Sequence, residues 1–215
     1  MPFAAGESLN LQKFFFAMPN FSAIPIEEHP FPPFLPEGAR VLMLGTFPPQ
    51  PHRWAMEFFY PNPTNDMWKI MGLIFFGNPH QFFDAASKTY RLEPLKHFLR
   101  EKGIALYDTA TRVRRLKDNA SDKFLDIVQP IDLGSFFASC PTIQAVVTAG
   151  EKATGVVAQI AGVEPPKMGK SVEGMCQGHR FTLYRMPSSS RAYPMALEKK
   201  AEAYKQMFLQ IGYDI

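Results

Sequence analysis

The stretch that decides the fold is residues 39–72, which read ARVLMLGTFPPQPHRWAMEFFYPNPTNDMWKIMG. The apolar run at 41–44 predicts a buried strand, because a strand covered on both faces is apolar at successive positions. The run ends at a glycine, and a loop dense in aromatic residues and prolines follows it. The apolar segment 67–76 then predicts a helix that begins near Thr64, with Thr64 or Asn65 as its N-cap. Ligands of open α/β sheets bind beyond the carboxyl ends of the strands, so this loop is the first candidate site.

The rest of the chain alternates strands with helices, which is typical of a parallel sheet covered by helices. The predicted strands are 39–46, 104–107, 143–148 and 181–186, and the predicted helices are 64–76, 92–102, 133–140, 151–161 and 197–211. Residues 110–130, which are polar and basic, and residues 162–180, which are rich in Gly, Pro and Lys, predict long loops. We therefore predict an α/β fold, a three-layer α/β/α sandwich around a central, mostly parallel sheet of four strands.

The N-terminal residues have a different composition from the rest of the chain. We predict that residues 1–38 are a Pro- and Phe-rich extension packed on a domain formed by residues 39–215. A short helix is expected around residues 9–16. The prolines that follow exclude a helix or a central strand, so they predict an extended arm. We expect Phe31 and Phe34 to anchor this arm to the domain.

Length, charge and cysteine content narrow the class of protein. The 215 residues suffice for one domain with a sizeable core and an extension. A formal charge of +3 is compatible with a polyanionic partner, and equally with an enzyme that never binds nucleic acid. Cys140 and Cys176 form no CxxC pair, which argues against zinc or iron–sulfur sites and favours free buried thiols. Without a signal peptide or a long apolar run, we expect a cytoplasmic monomer that contacts no membrane.

Three segments at predicted strand ends carry the groups of a candidate site. Residues 45–49, GTFPP, form either a turn that cradles phosphate or a rigid corner. Residues 58–68, FFYPNPTNDMW, offer aromatic walls for a planar base and asparagines for its edge, or else form a core loop with turn-forming asparagines. Residues 186–191, MPSSSR, form either a phosphate clamp or a serine-rich helix cap.

Taken in order, these segments resemble motifs of the uracil-DNA glycosylase superfamily. The hypoxanthine-DNA glycosylase-type branch is the most similar, and the mismatch-specific glycosylases come next. In this chain LGTFP (44–48) is similar to the branch's G-S-F-P-G, YPNPTNDMW (60–68) to Y-x-H-P-x-N-x-F-W, and MPSSSRA (186–192) to L-P-S-T-S-P-A. The resemblance covers residues 38–212, and the middle segment is the most specific. The chain departs from these motifs at Pro49, Asn62, Arg191 and Tyr193.

The resemblance implies a monofunctional DNA glycosylase of base-excision repair. Such an enzyme flips a deaminated or mismatched base, here uracil, hypoxanthine or similar, and hydrolyses its N-glycosidic bond. Phe47 stands where much of the superfamily has a catalytic Asn or Asp, so the resemblance assigns catalysis to Asn65. Asp108, at a predicted strand end, is the alternative base. No metal or cofactor is implied.

The remaining site residues follow from the same comparison. The base pocket is expected at Gly45, Thr46, Phe47, Phe59, Tyr60 and Asn62, and the DNA contacts at Ser188, Ser189, Ser190, Arg191 and Lys170. Weaker candidates for phosphate contacts are Arg114, Arg115 and Lys167.

Two other functions remain open from the sequence. The Phe in the first motif and the altered second motif are compatible with a catalytically lapsed protein that binds nucleic acid on the same fold. A hydrolase of free nucleosides or nucleotides is the other alternative.

Overall fold

The computed structural model describes residues 24–117 and 121–215. The helix predicted around residues 9–16 lies outside these ranges. The strands are β1 (Ile26–Glu28), β2 (Val41–Gly45), β3 (Phe83–Asp84), β4 (Thr89–Tyr90), β5 (Ile104–Asp108), β6 (Ala110–Arg115), β7 (Leu125–Pro130), β8 (Ala145–Ala149), β9 (Lys170–Cys176) and β10 (His179–Met186). The helices are α1 (Met67–Phe76), α2 (Leu92–Lys102), α3 (Leu133–Ser139), α4 (Glu151–Ala161) and α5 (Leu197–Ile211).

The central sheet has five strands in the order β5-β2-β8-β10-β9. The first four are parallel, and β9 runs antiparallel to β10. The prediction of a four-stranded sheet is therefore wrong by one edge strand. Residues 170–176, predicted to be loop, form a hairpin with β10 through Gln177 and Gly178, whose φ angles are +48° and +84°. Positive φ at both positions is the turn that joins twisted antiparallel strands, and Gln is an uncommon residue there.

The helices pack in two groups around this sheet. The ring of Phe75 in α1 contacts Phe98 in α2 and Phe208 in α5, at centroid distances of 5.1 and 5.3 Å. Phe137 in α3 packs against Phe181 of β10, and α4 lies against β8, β9 and β10. Strands β2, β5 and β8 are buried at every position, so they form the centre of the core.

A second sheet, in the order β1-β6-β7, replaces the long loop predicted at 110–130. Strand β6 is ATRVRR, in which Ala110 and Val113 are buried and pack with Phe47 and Leu125. Arg112 and Arg114 pair with Glu28 and Asp126, whereas Arg115, two residues after Val113 and on the same face, pairs with Glu27 at 2.9 Å. The basic composition of this segment predicted a solvated loop. In the structure its three arginines pair with carboxylates on the neighbouring strands, and these partners cannot be recognised from the segment itself.

Residues 24–38 lie along both sheets. Strand β1 pairs antiparallel with β6 at the edge of the second sheet. Phe31 is buried, and the N–H and carbonyl of Phe34 both bond to Leu106 of β5 at 3.0 and 2.9 Å. The prolines of this segment fall outside β1 and outside the bridge at Phe34, so no ladder hydrogen bond is lost to them.

The sequence also predicts the state of the two cysteines. Cys140 and Cys176 are free and buried, as the sequence predicts. Within residues 24–117 and 121–215, no helix combines the length and the apolar character that a membrane crossing requires.

Candidate active site

A cleft of about 920 Å³ opens at the carboxyl ends of β2, β5, β8 and β10. Of the predicted site residues, the cleft is lined by Gly45, Thr46, Phe47, Tyr60, Asn62, Asn65, Asp108, Ser188, Ser189, Ser190 and Arg191. The structure thus brings all three sequence segments together. Phe59 does not line the cleft, because it is 2% exposed and packs in the main core. Lys170 also lies off the cleft lining, at the start of β9.

Gly45 and Asp108 end neighbouring parallel strands and are register partners. A Cβ atom placed on Gly45 would lie 2.4 Å from Oδ1 of Asp108. That separation is far below van der Waals contact, so only a glycine leaves room for the carboxylate. The first motif therefore uses its glycine to admit the side chain of the adjacent strand to the cleft floor.

The other oxygen of Asp108 bonds to a residue that the sequence did not single out. Nε2 of His29 lies 3.0 Å from Oδ2 of Asp108, and the two side chains are 2% and 10% exposed. The imidazole also contacts the backbone of Phe31 through Nδ1. Its ring packs against Tyr107 at a centroid distance of 4.6 Å and edge-on against Phe47 at 5.4 Å. No sequence pattern links residues 29 and 108, which meet only through the position of the arm.

Asn65 is held by the first turn of α1. Its Oδ1 accepts a hydrogen bond of 2.9 Å from the N–H of Met67. A backbone N–H can only donate, so the atom facing it is the carbonyl oxygen and the amide NH₂ is left for the cleft. The helix itself begins at Met67, later than predicted, and its N-cap is Asp66 and not Thr64 or Asn65; the N–H of Asp66 bonds to the carbonyl of Ser189.

Asn62 makes a local turn. Its Oδ1 accepts bonds from the backbone N–H and the hydroxyl of Thr64, both at 2.9 Å. Asn62 therefore acts as a turn-forming residue, which is one of the two roles that the sequence left open. Its remaining polar group at the cleft is its amide NH₂.

Tyr60 is held in a backbone conformation that is rare for a residue with a side chain. Its φ is +51°, in the left-handed region. Its ring stands edge-on to Trp68 at 5.7 Å. Within the described part of the chain, its buried hydroxyl finds no hydrogen-bond partner, and burial raises its pKa well above the usual value. Backbone strain and an unpaired buried hydroxyl at one cleft residue are features that cluster at functional sites.

A second carboxylate in the cleft comes from Asp122, which the sequence analysis missed. The hydroxyl of Thr46 donates to Oδ2 of Asp122 at 2.8 Å. Burial raises the pKa of this carboxyl, the Thr46 bond lowers it, and the charge of Asp108 raises it further. Lys152 donates to the backbone carbonyls of Asp122 and Leu125 and so holds the segment in place. Strand periodicity carries no signal for Asp122, because it lies in a connection between strands.

The segment at residues 188–191 is fixed by bonds of its own and by a buried lysine. The N–H of Ser190 donates to Oγ of Ser188, and the N–H of Ala192 donates to Oγ of Ser190. Lys200 of α5 is fully buried and donates to the carbonyl of Ser190 and to Asp66, both at 2.8 Å. Ser189 is 3% exposed, so its hydroxyl is not at the surface. The exposed polar side chains of this segment are those of Ser190 and Arg191.

Positive charge surrounds the cleft mouth. Arg53, Lys123 and Arg191 line the cleft and are exposed, and the first two were not predicted. Arg114 and Arg115 are engaged in ion pairs with Asp126 and Glu27 instead. Lys167 and Lys170 are exposed and flank Met168, whose sulfur accepts a bond from Tyr193 of the cleft.

Comparison with known proteins supports the fold. No family model matches the chain, and no curated protein does. Among solved structures, one match is the solution NMR structure of a "putative Uracil DNA glycosylase from Methanosarcina acetivorans". The match has a TM-score of 0.59 at 19% identity and covers 88% of this chain and 100% of that one. The chain therefore has the mixed α/β fold of that structure.

Proposed function

We propose that this protein is a DNA glycosylase that flips a deaminated or mismatched base, uracil, hypoxanthine or similar, and hydrolyses its N-glycosidic bond. The observation that carries the proposal is the amide of Asn65, oriented by α1 in a cleft that also holds two carboxylates and has a basic mouth. The fold likeness and the sequence resemblance support the same class of enzyme. The cleft volume of about 920 Å³ suits a flipped nucleotide, since small-molecule sites span roughly 300–1,000 Å³.

Asn65 acts on the leaving base. Rupture of the C1′–N bond leaves the electron pair on the base, whose charge spreads to its carbonyl oxygen. A donor already aimed at that oxygen lowers the barrier without reorganising. The amide NH₂ of Asn65 is such a donor, because its carbonyl is occupied by Met67. Tyr60 and Phe47 form the apolar walls beside the base.

Asp108 acts on the water. The oxygen of a water molecule bonds to C1′ while one of its protons passes to a carboxylate, and the base departs with the bonding electrons. Asp108 has one oxygen at the cleft floor above Gly45 and is the general base. Asp122 lies in the same cleft, but its Oδ2 already accepts the hydroxyl of Thr46, so Asp122 is the second candidate for the base.

The basic mouth and the serine segment hold the DNA. Arg53, Lys123 and Arg191 are exposed there and suit the flanking phosphates. Ser188 and Ser190 contribute through their hydroxyls and the backbone. Lys170 is a peripheral contact on the neighbouring hairpin, next to Met168.

The test is base release from oligonucleotides that contain uracil, hypoxanthine, xanthine or a G·T mismatch, in single and double strands. Asn65→Asp keeps the oxygen that accepts from Met67 and removes the NH₂ donor. We expect this variant to remain folded and to lose about 10²–10³-fold in the rate of release. Asn78→Asp is the matched control, because Asn78 accepts the same local bond, from the N–H of His80, outside the cleft.

The main alternative is a protein that binds DNA without cleaving the bond. Phe47 favours it, since this residue stands where much of the superfamily has a catalytic Asn or Asp, and its ring is 9% exposed and packs on Ala110 and Val113. Binding of these oligonucleotides by the wild type without release of any base would establish this alternative and overturn the glycosylase.

A further inference from the structure

We propose that His29 is a positioning residue for Asp108, so that the N-terminal arm is part of the active site. The inference rests on the proposed function, in which Asp108 takes a proton from water. It goes beyond that function because it assigns a role to a segment that lies outside the resemblance to the glycosylases.

The two carboxylate oxygens of Asp108 have different surroundings. Oδ2 of Asp108 bonds to Nε2 of His29 at 3.0 Å. Oδ1 lies above Gly45 on the floor of the cleft. A carboxylate anchored at one oxygen cannot rotate, so the other oxygen keeps one position toward the cleft. Fixed orientation of a reacting group accounts for a large share of enzymatic rate enhancement.

The imidazole is itself immobilised. Its side chain is 2% exposed, and its Nδ1 contacts both the N–H and the carbonyl of Phe31, at 3.2 and 2.9 Å. Tyr107 and Phe47 pack against the ring. His29 does not line the cleft, so it acts through Asp108 and not on the substrate.

The arm that carries His29 is held on both sides of this contact. Strand β1 pairs with β6, and Phe31 is buried just beyond the histidine. Glu27 makes two hydrogen bonds to Arg115, at 3.0 and 2.9 Å. Arg115 in turn donates to the carbonyl of Pro48, in the loop that follows β2. The arm therefore joins the end of β5 to the loop of the first motif, the two elements that frame the base.

The alternative role is purely structural, with His29 as a hydrogen-bonded core histidine. The two roles differ in what they predict for a pair of substitutions. If His29 acts only through Asp108, its removal has no further effect on the rate once Asp108 is neutralised, because the two changes remove the same element. A structural role predicts independent losses.

The experiment measures single-turnover base release with saturating enzyme, and affinity for DNA that contains an abasic site. The variants are His29→Leu, His29→Gln, Asp108→Asn and the double variant His29→Leu/Asp108→Asn. We expect His29→Leu to lower the rate about 10- to 100-fold, as for loss of a hydrogen bond to a charged group. Affinity for abasic DNA is expected to change by about twofold at most, since His29 lies outside the cleft.

The other variants decide between the two roles. His29→Gln retains an N–H at the position of Nε2 and is expected to recover most of the lost rate. The double variant is expected to be no slower than Asp108→Asn. Glu28→Gln is the control at the adjacent residue of the arm, because its exposed ion pair with Arg112, at 3.6 Å, predicts a change of about twofold or less.

The experiment distinguishes a failure of the positioning role from a failure of the proposed function. If the wild type releases a base and His29→Leu releases it at the same rate, the positioning role alone is overturned. Rate losses that add in the double variant would overturn it as well. The absence of release by the wild type from every oligonucleotide would overturn the glycosylase and this role with it. If His29→Leu does not fold, His29→Asn takes its place in the single and double variants, because its amide can replace Nδ1 toward Phe31 but is too short to reach Oδ2 of Asp108.

Discussion

Gly45 and Asp108 show how one residue determines what its neighbour can do. Both stand at strand ends, and the carboxylate occupies the volume that a side chain on Gly45 would fill. The glycine of the first motif therefore has a steric role at the floor of the cleft. Its φ is not in the left-handed region, so the requirement comes from the contact and not from backbone freedom.

We predict that Gly45→Ala folds but loses base release by about 10²-fold, because the added methyl displaces Asp108. Release under single-turnover conditions and thermal denaturation are the measurements. Gly155→Ala is the matched control, because the glycine lies inside α4 with nothing within 4 Å of an added Cβ. That variant is expected to gain about 0.5–1 kcal/mol in the free energy of unfolding and to keep full activity. Normal release by Gly45→Ala would contradict the steric role.

The residues that sequence analysis missed have a common cause. His29 and Asp122 each bond across a long stretch of chain, to Asp108 and to Thr46. Periodicity and motif spacing register neighbours within one element, whereas these contacts depend on how distant elements are placed. Asn65 was placed at the site by the family resemblance and Asp108 by its position at a strand end, and both line the cleft.

At the scale of elements, α1, α5 and the segment at 188–191 are joined by one buried charge. Lys200 is fully buried, and its ammonium bonds to Asp66 and to the carbonyl of Ser190. The N–H of Asp66 also bonds to the carbonyl of Ser189. One pair of side chains thus sets the distance between the loop that carries Asn65 and the loop that carries Arg191.

We predict that Lys200→Met lowers the free energy of unfolding by about 3 kcal/mol, since a buried carboxylate is left without its main partner. Lys69 lies 3.5 Å from the other oxygen of Asp66 and is partly exposed, so it compensates little. Lys200→Met/Asp66→Asn is expected to be more stable than Lys200→Met. Chemical denaturation of the three proteins is the measurement, and equal stability of both variants would refute a dominant charge effect.

Elements with strong local patterns were predictable and elements defined by pairing were not. Helices α2, α4 and α5 match the predicted residues, since each has apolar residues at helical spacing and a glycine directly after its end. The second sheet and β9 were missed. Their strands are polar on one face, so they lack the apolar run of a buried strand. Strand β6 is stabilised by ion pairs such as that with Glu27, and β9 by its pairing with β10.

For the molecule as a whole, exposed basic side chains are grouped at the mouth of the cleft in a protein of small net charge. The formal charge is +3, yet three exposed cations lie at one mouth, on the loops after β2, β6 and β10. Exposed cations grouped at one opening attract a polyanion more strongly than the total charge indicates.

We predict that Lys123→Gln and Arg191→Gln each reduce the dependence of DNA affinity on salt. Each lost phosphate contact is expected to lower the slope of log K against log salt by about 0.9 on duplex DNA. Titrations at several salt concentrations measure it. Lys102→Gln is the control, because Lys102 ends α2 just before β5 and so lies at the amino ends of the parallel strands, opposite the cleft. An unchanged slope in both variants would show that Lys123 and Arg191 do not contact DNA phosphates.

The arm has a consequence for how the chain is made. His29 and Asp108 lie 79 residues apart in the sequence. Synthesis runs from the N-terminus, so β1 emerges from the ribosome long before β6, its partner strand, exists. Strand β1 thus stays without its partner until β6 has been made, and the cleft is complete only after this long loop has closed.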